Sequence, residues 1–369
     1  MGKLKKSFLF VAKDKQKLKN RIFTVLRIAI SVGILFYLFK TQFKNFVDVV
    51  SAFRESGVNY WFIALSLVMY WAGTYLMVLR WKILLYTQKI SASQPFLLGS
   101  YLVGCFFNNF LPTSIGGDIY RIYDSSKLKN SSAMKAGSII LVDRFIGFMS
   151  MVIYLVFALA IGFVKASHVE FMMGKWKVSN QLLSILIIML FALAVFIILI
   201  MLFPDFFKLN RLFRKTRFLH MWEDKFRQIY DALKEFRKFK FNLFVNMVLS
   251  LVLQFAFILN CFYVGRAFGI THLSLIGFIF VVQISGILSM IPISVGGIGV
   301  REGVFVILAS VLGAPKNIAT IVSLVLLVII LIPGIAGGII YAIRPAIDKK
   351  RAAKLINKLS HDPAGSTKS

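Results

Sequence analysis

Two stretches of the chain read alike, and each interrupts a run of apolar residues. Leu111-Pro112-Thr-Ser114-Ile-Gly116-Gly117-Asp118-Ile-Tyr-Arg121 aligns with Ile291-Pro292-Ile-Ser294-Val-Gly296-Gly297-Ile-Gly-Val-Arg301. Proline, serine, both glycines and arginine coincide, and the spacing is the same at both ends (292 − 112 and 301 − 121 are both 180). Proline and paired glycine end helices, so the preceding segments, Pro95–Leu111 and Leu273–Ile291, are broken and too short to cross a bilayer comfortably. The flanking elements recur in the same order: span, amphipathic surface helix, span, broken segment, span. Hydrophobic segments interrupted at matching places in two halves point to a transporter-like fold, with its binding site at the breaks.

The apolar runs have spanning length. Ile22–Phe39, Tyr60–Leu79, Gly137–Val164, Gln181–Phe203, Phe241–Phe262 and Ile318–Ala342 approach or exceed the roughly 20 residues a helix needs to cross hydrocarbon. Charged residues make up 16% of the chain, against about 25% in ordinary globular proteins. These observations predict an all-α polytopic membrane protein and exclude a soluble enzyme. The formal charge of +29 raises the question of nucleic acid, but the charges cluster between apolar runs, so nucleic acid is not an expected partner. Neither a metal nor a cofactor is expected: Cys105 and Cys261 lie apart in apolar segments, and the four histidines are scattered.

Charge placement then orients the chain. If each broken segment enters and leaves on one side, the loops 1–21, 80–94, 121–135, 204–240 and 342–369 face the cytoplasm and hold 33 of the 44 Lys and Arg. The opposite loops, 40–59, 165–181, 266–273 and 313–317, hold 8. This bias is the positive-inside pattern of a cytoplasmic (inner) membrane protein with both termini cytoplasmic. The predicted organisation is a basic tail 1–21, a first membrane repeat 22–164, an external loop 165–181, a second repeat 182–342 and a basic tail 343–369. The two repeats are inverted, each with three full spans and one re-entrant hairpin. Two amphipathic faces accompany them: Phe43, Phe46, Val47, Val50 and Phe53, and, within basic segment 204–240, Trp222, Phe226, Ile229, Leu233 and Phe236. The second of these, at 208–240, suits anionic lipid or a cytoplasmic protein partner.

The repeated motif suggests chemistry. Non-helical backbone at membrane depth needs protein or a water-filled cavity around it, and Gly116-Gly117 and Gly296-Gly297 would let two loops approach each other. Their free N–H groups suit a phosphate, and Arg121 and Arg301, each four residues after the second glycine, could clamp an anionic head group. The alternative is a glycine hinge for close packing with an arginine reaching the interface. Asp118, Asp143, Arg144 and Glu302 are ionisable groups in or beside apolar segments, where charge is paired or functional. Ser114, Ser294 and Asn109 complete the candidate substrate-binding set. Gly334 and Gly338 form a GxxxG spacing expected to mark close helix contact.

At these residues the chain resembles the lysylphosphatidylglycerol synthase transmembrane family, also called flippase-like. The resemblance rests on Asn109-Phe-Leu-Pro-Thr-Ser-Ile-Gly-Gly-Asp118-Ile-Tyr-Arg121, Asp143-Arg144-Phe-Ile-Gly147 and Ser294-Val-Gly-Gly-Ile-Gly-Val-Arg-Glu-Gly303, and covers roughly residues 20 to 345. It implies translocation of lipids such as an aminoacyl-phospholipid, and the phosphate-binding reading of the motif adds an anionic phospholipid or a polyprenyl-phosphate-linked lipid as candidates. Full-length members add a soluble aminoacyl transferase domain, for which the 27 residues after Ala342 are too few. Two readings from other classes stay open: a membrane enzyme transferring an aminoacyl or glycosyl group to a lipid-linked acceptor, with Asp118, Asp143 or Glu302 as base, and a membrane scaffold for a cytoplasmic partner.

Overall fold

The structure, a computed structural model, describes residues 57–110, 116–165, 171–173, 176–178, 239–291 and 293–361, together with Val25 and Phe36. The expected spans at 22–39 and 181–203, both amphipathic segments, the tail 1–21, Pro112, Ser114 and Pro292 lie outside the described residues.

Eight α-helices are described: α1 Tyr60–Thr87, α2 Gln94–Phe110, α3 Gly116–Ser126, α4 Ala133–Lys165, α5 Lys240–Ala267, α6 Leu275–Ser289, α7 Val300–Val311 and α8 Lys316–His361. Stretches of α1, α4, α5 and α8 (Tyr60–Thr87, Ala133–Ile161, Lys240–Ala267 and Lys316–Arg344) are long and apolar enough to cross a membrane. The fold is thus helical and polytopic, with one departure from the all-helical expectation. Phe171–Met173 (β1) and Trp176–Val178 (β2) pair as a short antiparallel hairpin within the segment read as an external loop.

Local chemistry sets the helix ends. The Asn59 side chain accepts from the Trp61 N–H at the start of α1, and the Ser274 hydroxyl accepts from the Gly277 N–H at the start of α6. Between α6 and α7 the chain makes one 3-10 turn, Val295–Gly297, and then enters α7 from Gly299. Gly296, Gly297 and Gly299 have φ of 57°, 76° and 86°, a region that side chains with a Cβ rarely adopt.

The 180-residue spacing of the sequence holds in three dimensions. α1 and α5 begin at residues 60 and 240 and end at 87 and 267, 180 apart at both ends. These two helices pack along their whole length, and they run antiparallel. The Asn59 N–H donates to the Ala267 carbonyl, the Asn260 side chain to the Ser66 carbonyl, and the Asn246 side chain to the Arg80 carbonyl. α2 and α3 fold back on each other, as do α6 and α7. α8 packs on α2 as α4 packs on α6, so most of the packing survives exchange of the halves.

Lipid tails are as apolar as leucine, so helices in a membrane are held by close approach and hydrogen bonds more than by burial. Small residues supply that approach here. A Cβ on Gly337 of α8 would overlap the Leu102 carbonyl of α2, and one on Gly117 would overlap the Gly104 carbonyl. Gly338, like Gly337, lies against α2, with Phe106 beside it. Apolar clusters complete the interior: one around Phe278, Phe305 and Val322, another around Trp81, Leu97 and Ile139.

Candidate functional site

Both chain breaks meet at Asn108, near the end of α2. Its side-chain carbonyl accepts from the Gly117 N–H at 2.9 Å. Its backbone oxygen lies 2.7 Å from where a Cβ on Gly296 would sit. One residue thus bonds the first Gly-Gly pair through its side chain and lies close against the second with its main chain. Asn109, next along, donates to the Ile330 carbonyl of α8 at 3.1 Å. Gly116 and Gly117 are buried in the first turn of α3, and Ser294 is buried with no hydrogen-bond partner for its hydroxyl.

Beside the first break lies a ladder of alternating charges. Arg80 of α1 meets one oxygen of Asp143 at 3.0 Å, and Arg121 of α3 meets the other at 3.1 Å. Arg121 also lies 3.6 Å from Asp118, whose second oxygen accepts from Arg144 Nε at 2.7 Å. Arg80 bonds the Asn246 side chain and the Asp143 carbonyl as well. The guanidinium of Arg121 stacks 4.3 Å from the Trp81 ring centre. Arg80, Arg121, Asp118 and Asp143 are buried, whereas the Arg144 side chain is 47% exposed. Burial at this depth is tolerable only because each buried charge faces its opposite.

Beside the second break the arrangement is smaller. Glu302 accepts from Arg301 at 2.6 and 3.0 Å with one oxygen, and from the Gly299 N–H at 2.6 Å with the other. The carboxylate therefore caps α7 and neutralises its neighbour at once. This pair borders a cavity of about 300 Å³ lined from every described helix except α3. Its polar lining includes Gln254, Asn260, Gln283, Ser285 and Ser323. Gln283 is fully buried, and neither its amide nitrogen nor its oxygen has a hydrogen-bond partner; the Ser285 hydroxyl has none either. Tyr101 also lines this cavity and lies 5.8 Å from the Arg121 guanidinium, joining the two regions.

A family model described as the lysylphosphatidylglycerol synthase TM region matches residues 24–338. The chain belongs to this family. Two relatives are named UPF0104 membrane proteins. The one from Methanothermobacter thermautotrophicus is 24% identical over 295 residues, covering 75% of this chain and 83% of its own length. The one from Methanocaldococcus jannaschii is 23% identical over 336 residues, covering 88% and 96%. The lysylphosphatidylglycerol synthase TM-region match spans both breaks, the ladder and the cavity.

In this lysylphosphatidylglycerol synthase TM-region chain, the residues singled out from sequence fall into two groups. Asp118, Arg121, Asp143 and Arg144 gather in the ladder, with Gly116 and Gly117 beside them. Arg301 and Glu302 border the cavity, while Gly296 and Gly297 precede them in the break that abuts Asn108. Arg121 is engaged with two carboxylates and is not among the residues lining the cavity. Asp118, Asp143 and Glu302 each bond an arginine, so none stands as a free base. Arg80, counted among loop charges from sequence, sits inside α1 and is 2% exposed. Gln283 escaped notice although a lone carboxamide in the apolar run Leu275–Ser289 is itself a signal.

Proposed function

We propose that this membrane protein translocates a phosphate-bearing lipid: an anionic phospholipid, an aminoacyl-phospholipid or a polyprenyl-phosphate-linked lipid. The observation that carries the reading is the junction at Asn108. Two chain breaks, one from each half, converge there beside a cavity lined by both halves. Transporters built from inverted repeats place their site where interrupted helices face each other. The antiparallel packing of α1 on α5 at matched positions supports two inverted repeats. The folding back of α2 on α3 and of α6 on α7 supports two re-entrant hairpins. The excess of Lys and Arg on one side supports a cytoplasmic membrane location with both termini cytoplasmic.

In this reading the cavity takes a polar part of the head group. Its volume of about 300 Å³ lies at the small end of ligand sites. The unpartnered amide of Gln283 offers a donor and an acceptor inside it, and Arg301 adds a cation held in place by Glu302. Rocking of the halves about their junction would expose this space to one side and then the other.

The test is lipid exchange in proteoliposomes carrying fluorescent phosphatidylglycerol, with a quencher added outside. The wild-type chain should bring inner-leaflet lipid within reach of the quencher. Arg301→Gln and Gln283→Leu should slow this about 10-fold, as loss of roughly 1.4 kcal/mol of head-group binding would. Wild-type vesicles that quench no faster than protein-free ones would remove the proposal.

A further inference from the structure

The charges of the ladder do not balance. It holds three guanidinium groups, Arg80, Arg121 and Arg144, and two carboxylates, Asp118 and Asp143. The other ion pairs among the described residues, Arg301–Glu302 and Arg344–Asp124, match one to one. One positive charge thus remains over, and it belongs to the ladder.

Geometry shows at which end that charge can be reached. Both oxygens of Asp143 are taken, and Arg80 donates through Nε to Asn246 and through Nη2 to the Asp143 carbonyl as well. The side chains of Arg80 and Arg121 are 2% and 5% exposed. Arg144 bonds Asp118 through Nε alone, and its side chain is 47% exposed. It also stands well inside α4, about 17 Å along the helix axis from Ala133. An exposed guanidinium within a helix of membrane-spanning length is disfavoured unless an anion or water faces it. Its two terminal nitrogens form a flat fork that matches two oxygens of one phosphate.

We propose that Arg144 is the receptor for the phosphodiester of a membrane phospholipid. Asp118 positions the guanidinium, and the ladder supplies the single positive charge that a phosphodiester, with its single negative charge, neutralises. The assignment rests on the translocation reading and adds a second point of contact: phosphate at Arg144, its polar substituent in the cavity beyond Tyr101. A phosphomonoester, with up to two negative charges, fits the surplus less well. A neutral diacylglycerol does not fit it at all.

Native mass spectrometry of the full chain in mild detergent tests this, with dioleoylphosphatidylglycerol, dioleoylglycerol and oleate as probes. Wild type should retain phosphatidylglycerol at least about 10-fold better than either of the others. Arg144→Gln should lose that preference, and Arg144→Lys should keep part of it, because charge remains without the fork. Arg344→Gln, outside the ladder, should behave as wild type. Should Arg144→Gln misfold because Asp118 is left with only the longer contact to Arg121, the double variant Asp118→Asn/Arg144→Gln removes both partners and should also lose the preference. Competition by soluble dimethyl phosphate would show the ester itself to be recognised, whether free or in lipid; no competition would restrict recognition to lipid. Equal retention of the three probes, or unchanged preference in Arg144→Gln and the double variant, overturns the assignment. Vesicle exchange that fails while Arg144-dependent retention persists would instead sink translocation and leave the site standing.

Discussion

Among the described residues, helices α1–α4 and α5–α8 follow one another in a similar order and differ in what surrounds them. At matched positions 180 apart, Arg80 corresponds to Asn260, Trp81 to Cys261, Cys105 to Ser285, Asp143 to Ser323 and Arg144 to Leu324. In the first half these large and charged side chains close the space with ion pairs and a stacked indole. In the second half Asn260, Cys261, Ser285 and Ser323 line the cavity instead. Arg121 and Arg301 are common to both, yet the first is held by Asp118 and Asp143 and the second by its own neighbour, Glu302. A repeated arginine is therefore no proof of a repeated role. The residues packed around it decide whether it is a strut or the rim of a hollow.

The sharpest way to break this contrast is to remove charge at matched sites. Asp143→Ala strands Arg80, leaves Arg121 only its longer contact to Asp118, and should destabilise the fold by about 3–5 kcal/mol. Ser323→Ala at the equivalent position loses one hydrogen bond to the Thr320 carbonyl and should cost about 1 kcal/mol. Thermal unfolding in detergent reads both, and equal losses would end the distinction. Next in size, Gln283→Leu should stabilise the protein by about 2 kcal/mol, since it removes a buried amide with no partner. The same variant slows vesicle exchange if the cavity is functional, so stability and transport should move in opposite directions.

Filling the hollow sharpens the comparison further. Cys261→Trp places in the second half the side chain that the first half has at Trp81. It should reduce lipid exchange about 10-fold, equivalent to roughly 1.4 kcal/mol, with an unchanged elution profile in gel filtration. Exchange at the wild-type rate would mean that the cavity is not on the route. The smallest effect concerns Arg344, which donates to Asp124 and Tyr120 and is partly exposed. Arg344→Gln takes a charge from beside the buried Asp124 but keeps a donor within its reach, and should lower thermal stability by about 1 kcal/mol.

The sequence made the breaks and spans legible because they depend on local chemistry. Proline and paired glycine weaken a helix locally, although Pro333 and Gly337-Gly338 pass inside α8, and long apolar runs need no tertiary partner to be recognised. Span ends were less legible. Arg80-Trp-Lys82 reads as a helix terminus, yet α1 continues to Thr87 because Arg80 finds Asp143 and Asn246 inside and Lys82 bonds Gln94. Pairing Arg80 with Asp143 joins residues 63 apart in sequence, which no local pattern announces. The close contact expected at Gly334 and Gly338 was right in kind and partly in place: Gly338 lies on α2, but Gly337 makes the tighter approach. The cavity was the least legible feature. It follows from small residues where the other half has large ones, and that becomes visible only once the two halves are superposed position by position.

α8 extends well past its own membrane-spanning part. It runs 46 residues, and its apolar portion ends at Arg344. The 17 residues beyond, 345–361, make about 25 Å of continuous helix. This extension starts at Pro345, directly after Arg344, which is held to α3 through Asp124. Proline leaves the Tyr341 carbonyl without its helical donor, so a push on the free end would bend the helix at the clamp and spare the first hairpin most of the torque.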